Sequence, residues 1–209
     1  MLGYAGVYPV IGTRPTQPTG LMIRDDVSDN LIHLSKDTTD LTAANALLSI
    51  LKEKKLRGGS TFIKGAYTCV CFSEAPIGKL AYILAEPSVN GIRYKPFGIM
   101  VGKKWLYERG GRPVIYQPDA EFELLCEGQR FRHVRYEPDK VDFTWEREWR
   151  IKTDELELNP DITTVVVPNR DWEDWLQKQH EARNMRRSLL LHGLFGPRSV
   201  VKQPWHYLV

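Results

Sequence analysis

Apolar positions along this chain fall into short, separated groups with two different periods. Ala43, Ala44, Leu47, Leu48 and Leu51 recur at helical spacing, while Lys52, Glu53 and Lys55 fall largely elsewhere. Thr42 to Leu56 is therefore predicted as a helix with one buried stripe. Gly58-Gly59 is its expected glycine stop. Leu31 to Ser35, Thr68 to Phe72, Phe97 to Val101, Arg112 to Tyr116 and Thr163 to Val167 are short runs rich in strand-forming residues, and each reads as extended. Pro76 suits the first turn of a short helix reaching about Leu84. A helical turn holds Trp105, and Glu121 to Gln129 reads as helix. Asp171 to Arg187 reads as a helix with Trp172, Trp175 and Leu176 inward, and Val200 to Val209 supplies a closing strand or two.

Residues 1–20 carry Pro9, Pro15 and Pro18 with Gly3, Gly6, Gly12 and Gly20 and show no period, so they read as an irregular arm. Strands and helices mix over 21–209 without regular βαβ alternation. The expected fold is a single mixed-sheet domain of the α+β class.

Asp142 to Lys152 alternates most clearly. Its centre, Thr144-Trp145-Glu146-Arg147-Glu148-Trp149-Arg150, sets two tryptophans, two glutamates and two arginines in seven positions. A strand here turns Trp145, Arg147 and Trp149 to one face and Glu146, Glu148 and Arg150 to the other. The two carboxylates then stand about 7 Å apart along the strand. They form either a pair aimed at a ligand or a surface charge group that Arg150 and neighbouring bases neutralise.

Composition narrows the classes. With 42% apolar and 26% charged residues in 209, the chain has the balance of an ordinary globular domain. No apolar run approaches the roughly 18–20 residues needed to cross a bilayer, and no secretory pattern opens the chain, so a cytoplasmic protein without membrane attachment is expected. Cys69, Cys71 and Cys126 are an odd number and read as reduced thiols. The scattered histidines give no metal-ligand spacing, so no metal is expected. A net charge of +3 does not by itself diagnose nucleic-acid binding, although Lys52 to Arg57, Arg130 with Arg132 and Arg135, and Arg183 with Arg186 and Arg187 form basic groups.

His33 stands in Leu31-Ile32-His33-Leu34-Ser35-Lys36 and points opposite to Ile32 and Leu34 in a strand, either as a structural hydrogen-bonder or as a site residue. Ser73 and Glu74 follow Cys71-Phe72 at a strand end, where Ser73 either faces a site or caps the helix near Pro76.

In order, the blocks LIHLSK, LLSILKEKKLRGG, CVCFSEAPI, FGIMVGKKWLYERGGRPVIY and DFTWEREWRI resemble the bacterial abortive-infection family of the AbiGi type and related domains, over roughly residues 30–170. The same order is similar to ADP-ribosyltransferases of the DarT type. The resemblance implies a split-sheet fold with flanking helices and a phage-defence effector or toxin. It would use NAD as co-substrate to modify a nucleic acid or protein, with an antitoxin or phage-derived partner. It implies Glu148 as the carboxylate that stabilises positive charge developing on the ribose. Glu146 would orient or deprotonate the acceptor. Ser73 would position the nicotinamide side or Glu148, and His33 would bond the adenosine ribose. A nearby arginine, Arg24 or Arg57, is the alternative first member. Tyr67, Tyr82, Tyr94 and Phe97 are candidate stacking partners, and the basic groups around Arg57 and Arg135 would meet phosphates. A non-catalytic binding or sensor protein on the same scaffold and a nucleic-acid-processing enzyme are the alternatives.

Overall fold

The computed structural model describes residues 27–37, 41–74, 76, 79, 84, 87–88, 91–92, 94–180 and 205–208. The arm over 1–20, Arg24, Tyr82 and the basic group at 183–187 lie outside these residues.

In chain order the strands are β1 (Asn30–Leu34), β2 (Lys55–Arg57), β3 (Cys69–Ser73), β4 (Pro87–Ser88), β5 (Gly91–Ile92), β6 (Gly98–Gly102), β7 (Arg112–Pro113), β8 (Ile115–Gln117), β9 (His133–Arg135), β10 (Glu148–Lys152), β11 (Glu155–Glu157), β12 (Thr163–Val166) and β13 (His206–Leu208). Seven of them build one sheet in the order β13-β12-β6-β1-β3-β10-β7. Its neighbours are antiparallel except β12 and β13, which run parallel. The pairs β2–β11, β4–β5 and β8–β9 are small separate ladders. This is a mixed α/β domain with one large mixed sheet and a few helices. No helix among the described residues is long and apolar enough to cross a membrane.

The main helix, Ala43–Glu53, starts where Thr42 Oγ1 accepts from the Asn45 amide, and it buries Ala43, Ala44, Leu47, Leu48 and Leu51. These residues pack with Leu31, Val70, Phe72, Ile99, Val101, Trp149, Ile151 and Val165 of the sheet in the principal core. Helix stripe and strand alternation therefore meet on one sheet face. The opposite face carries smaller groups, Ile32 with Val166 and Ile63 with Cys69 and Phe131.

Several boundaries depart from the sequence reading. The helix stops at Lys54, which adopts the left-handed conformation itself (φ 55°), and Lys55–Arg57 continue as a strand against Glu155–Glu157. Gly58 serves another end: a Cβ there would collide with the Thr153 carbonyl oxygen. Arg112 to Tyr116 divides into β7, paired with β10, and β8, paired with β9. Glu121 to Gln129 is a 3-10 helix, Asp119–Leu124, followed by a single α-turn, Glu127–Arg130. The helix expected from Asp171 is present over 170–180, with Leu176 fully buried.

The largest departure concerns Trp145 to Arg150. Thr144–Glu146 is a 3-10 turn, Arg147 is left-handed (φ 44°), and extended backbone begins only at Glu148. The cause lies just upstream, where Asp142 Oδ1 accepts from both the amide (2.8 Å) and the hydroxyl (2.6 Å) of Thr144 and bends the chain. The expected two-faced strand is thus limited to 148–152. Trp145 stays 36% exposed while Trp149 is buried. Glu146 and Glu148 do not stand as neighbours on one strand face.

Candidate functional site

Three neighbouring strands bring together the residues singled out in sequence. Ser73, the last residue of β3, opposes Ile32 of β1 on one side and Glu148 of β10 on the other. Directly opposed residues of antiparallel strands share a face, so Ser73 and Glu148 lie on the same side as Ile32. His33, next along β1, alternates to the side of Leu31 and Phe72, and its ring meets Phe72 edge-on with centroids 5.8 Å apart.

His33 still reaches β3, because its Nδ1 lies 2.8 Å from the Cys71 carbonyl oxygen. That carbonyl accepts a proton, so Nδ1 carries it and Nε2 is left as the acceptor. Burial lowers the His33 pKa, the Cys71 bond acts the other way, and the Lys36 charge adds to the lowering. The neutral ring is the form that results.

Glu148 is held firmly. Arg150, two residues on and on the same face, donates Nε to one carboxylate oxygen at 2.8 Å and a terminal nitrogen to the other at 3.0 Å. Arg150 also donates to the carbonyls of Phe131 (3.0 Å) and His133 (2.9 Å), which ties β10 to the segment around β9. The two side chains are 13% and 6% exposed. Burial acts to lower the Arg150 pKa, and the Glu148 bonds and charge more than offset this, so it is raised. Burial first, and then the charge and hydrogen bond of Glu148, push the Cys71 thiol up, keeping it protonated beside the carboxylate. An ionised carboxylate offers about four acceptor positions. Arg150 takes two of these, which leaves acceptor capacity for further donors.

The helix expected near Pro76, with Ser73 as its candidate cap, falls largely outside the described residues. The Ser73 hydroxyl donates to the Glu146 carbonyl oxygen at 2.6 Å, tying the end of β3 to the turn that enters β10. The Glu146 carboxylate is half-buried, and the Tyr94 phenol lies 3.5 Å from both of its oxygens. Ser73, Glu146, Glu148 and Tyr94 thus belong to one neighbourhood.

Arg57 does not join them. It lies on β2 and pairs with Glu53 (2.8 Å) and Glu155 (3.2 Å). Glu155 follows the Lys152 end of β10, which is about 13 Å along the strand from Glu148. Arg135 is occupied by Glu137 at 2.8 Å. Tyr67 lies under Lys152, and Phe97 packs edge-on against Trp172 in the core.

Two participants escaped the sequence reading. Tyr116 Oη accepts from the Glu148 amide (3.1 Å) and donates to the Phe143 carbonyl (3.3 Å), so it fixes the residue from behind. Burial raises its pKa to about 12, the Glu148 amide bond opposes this, and the Glu148 and Glu146 charges add to the rise. Lys103 is the second. It donates at 2.7 Å to Glu74, whose other oxygen accepts from the Trp149 indole at 2.9 Å, with Arg147 at 3.8 Å. Nothing in the spacing of Tyr116 or Lys103 reveals these partners, which the sheet order supplies.

Comparison of the chain with protein-family models, curated proteins and solved structures finds no match. Among the described residues, no three of His, Cys, Asp or Glu gather as metal ligands, and Cys69, Cys71 and Cys126 are all free thiols.

Proposed function

We propose that this domain transfers ADP-ribose from NAD to a nucleic acid or protein, as a phage-defence effector or toxin. The observation that carries the reading is the adjacency of β1, β3 and β10, which sets His33, Ser73 and Glu148 on neighbouring strands in chain order. The acceptors gathered on the Ser73 and Glu148 side of the sheet suit a ribose: the Glu146 carboxylate and the Glu148 positions that Arg150 leaves open. Arg150 and Tyr116 hold Glu148 in place, and a fixed carboxylate stabilises positive charge without reorganising.

In this reading the bond between nicotinamide and ribose breaks, with its electron pair leaving on nicotinamide. The ribose carbon then bonds to a nucleophile of the acceptor, whose proton passes to Glu146. His33, on the opposite face beside Phe72 and bonded to the Cys71 carbonyl, joins β1 to β3 and has no part in this ribose site, and Ser73 sets the Glu146 turn. Split-sheet architecture of the ADP-ribosyltransferase kind belongs to the same proposal. Tyr82, outside the described residues, keeps its proposed stacking role.

A second reading rests on one observation. The clamp of Arg150 on both oxygens of Glu148 is also what a structural ion pair needs, and a non-catalytic binding protein would keep it. Release of free nicotinamide separates the two. The transferase reading expects NAD turnover that Glu146→Gln reduces by about a hundredfold or more. Absence of release from the folded wild-type protein, with every acceptor offered, leaves only the second reading.

A further inference from the structure

The stretch from Lys103 to Arg132 contains arginines with an unusual set of partners. Arg112 donates to the carbonyls of Tyr107 (2.8 Å) and Gly111 (2.7 Å), and its guanidinium lies 4.0 Å from the centroid of the Tyr107 ring. Arg132 donates Nε to the Pro113 carbonyl at 2.8 Å. Its NH1 lies 3.4 Å from the Gln129 side-chain oxygen. Neither forms an ion pair with a carboxylate among the described residues. By contrast Arg130, in the same stretch, and Arg57, Arg135 and Arg150 outside it each have one. Arg109 repeats the arrangement, over Trp105 at 4.3 Å and on its carbonyl at 3.2 Å.

Carbonyl bonds hold a guanidinium in place without cancelling its charge, so a net positive centre remains with its planar fork oriented. Arg112 and Arg132 are also close enough to repel. Burial first and then the Arg112 charge lower the Arg132 pKa. Arg132 is bonded to the carbonyl of Pro113, the residue next to Arg112, so two oriented cations lie at the same sheet edge, and an anion bound there relieves their repulsion. Tyr107, 51% exposed, adds an aromatic surface beside the pair. Phosphate matches paired guanidiniums, and an aromatic plane next to phosphate suits an unstacked base.

We propose that Arg112, Arg132 and Tyr107 form a clamp for the backbone of single-stranded nucleic acid. The position fits a substrate-presenting surface: β7 is the edge of the sheet, Arg112 opposes Arg150, and the Val114 amide donates to the Glu148 carbonyl at 3.0 Å. Binding here stands apart from the transferase reading, because it is measured with no NAD present.

The test is fluorescence anisotropy with labelled single strands of about a dozen nucleotides, as DNA and as RNA, titrated between about 50 and 200 mM salt. The wild-type protein is expected to bind at least one of them, about tenfold or more tighter than the matching duplex. Arg112→Gln/Arg132→Gln is expected to weaken binding about tenfold or more and to flatten the salt slope by about 1.4, the value for two phosphates on a single strand. A charge-matched control, Lys52→Gln/Lys178→Gln at two exposed positions, is expected to bind within about twofold of wild type. Circular dichroism confirms folding, and Arg112→Lys/Arg132→Lys is expected to keep the salt slope if a Gln variant unfolds. Equal binding of duplex, equal competition by polyglutamate, an unchanged slope in the folded Gln variant, or no binding at the lowest salt each overturns the proposal.

Discussion

Replacing Glu148 is the perturbation that most needs its stability cost worked out, because the same residue is both a candidate catalytic group and one half of a buried ion pair. Glu148 and Arg150 meet through two contacts of 2.8 and 3.0 Å with side chains 13% and 6% exposed. Removing one charge from such a pair leaves the other buried and costs about 3–5 kcal/mol. Glu148→Gln keeps one acceptor for Arg150, so the lower end, about 3 kcal/mol, is expected. At about 2–4 °C per kcal/mol for a chain of this size, that is a melting-point drop of roughly 6–12 °C. Arg150→Met is expected to cost more, about 4–5 kcal/mol, since it also strips a donor from the carbonyls of Phe131 and His133. The double variant Glu148→Gln/Arg150→Met has no orphaned charge and should be less destabilised than the sum of the singles by about 2 kcal/mol or more. Urea unfolding of the four proteins at neutral pH gives the cycle. If Glu148→Gln costs under about 1 kcal/mol and the singles simply add, the pair is not the buried clasp described above.

Further outcomes follow from the same geometry. Leu47 is fully buried in the principal core, so Leu47→Ala should cost about 2–5 kcal/mol in urea unfolding. Gly58→Ala places a methyl against the Thr153 carbonyl and should cost about 1–3 kcal/mol, read by the same method. The His33 pKa is lowered from 6.5 on folding, so below that value the unfolded chain binds more protons than the folded one. Stability should therefore be complete above about pH 6.5 and fall as pH drops toward the folded value. His33→Gln should remove part of that acid dependence. His133, lowered in the same direction by burial, accounts for another part. The Tyr116 phenol should ionise near pH 12 in a spectrophotometric titration, provided the protein is still folded there.

The elements legible in sequence were those whose signal is local and repeated. The stripe Ala43, Ala44, Leu47, Leu48, Leu51 marked the helix because every member meets the same core, and Leu31, Val70, Ile99 and Val165 marked their strands for the same reason. What failed was decided by single side chains acting on the backbone. Asp142 bends the chain at Thr144, and Arg147 then adopts a left-handed turn, so the alternation of Trp145 to Arg150 never became a strand before Glu148. Lys54 capped the helix where two glycines four positions on offered a stronger signal. The candidate site divided along the same line. Ser73 and Glu148 could be named from sequence order, but their opposition across β3 and β10 depends on a sheet order that no spacing encodes. The partners that fix Glu148 come from 32 positions upstream in Tyr116 and, through Arg150, from the carbonyls of Phe131 and His133. Arg57 drew notice as part of a basic run, but its charge is used locally by Glu53 and Glu155.

The central claim is that this neighbourhood turns over NAD. Its most direct test offers labelled NAD to the wild-type protein with single-stranded DNA, RNA or cell lysate. Glu146→Gln and Glu148→Gln are run alongside at a temperature where both remain folded. The account predicts label covalently attached to one acceptor by the wild type, with each variant about a hundredfold or more slower. Wild-type protein that transfers no label and releases no nicotinamide, or variants as fast as wild type, would contradict it.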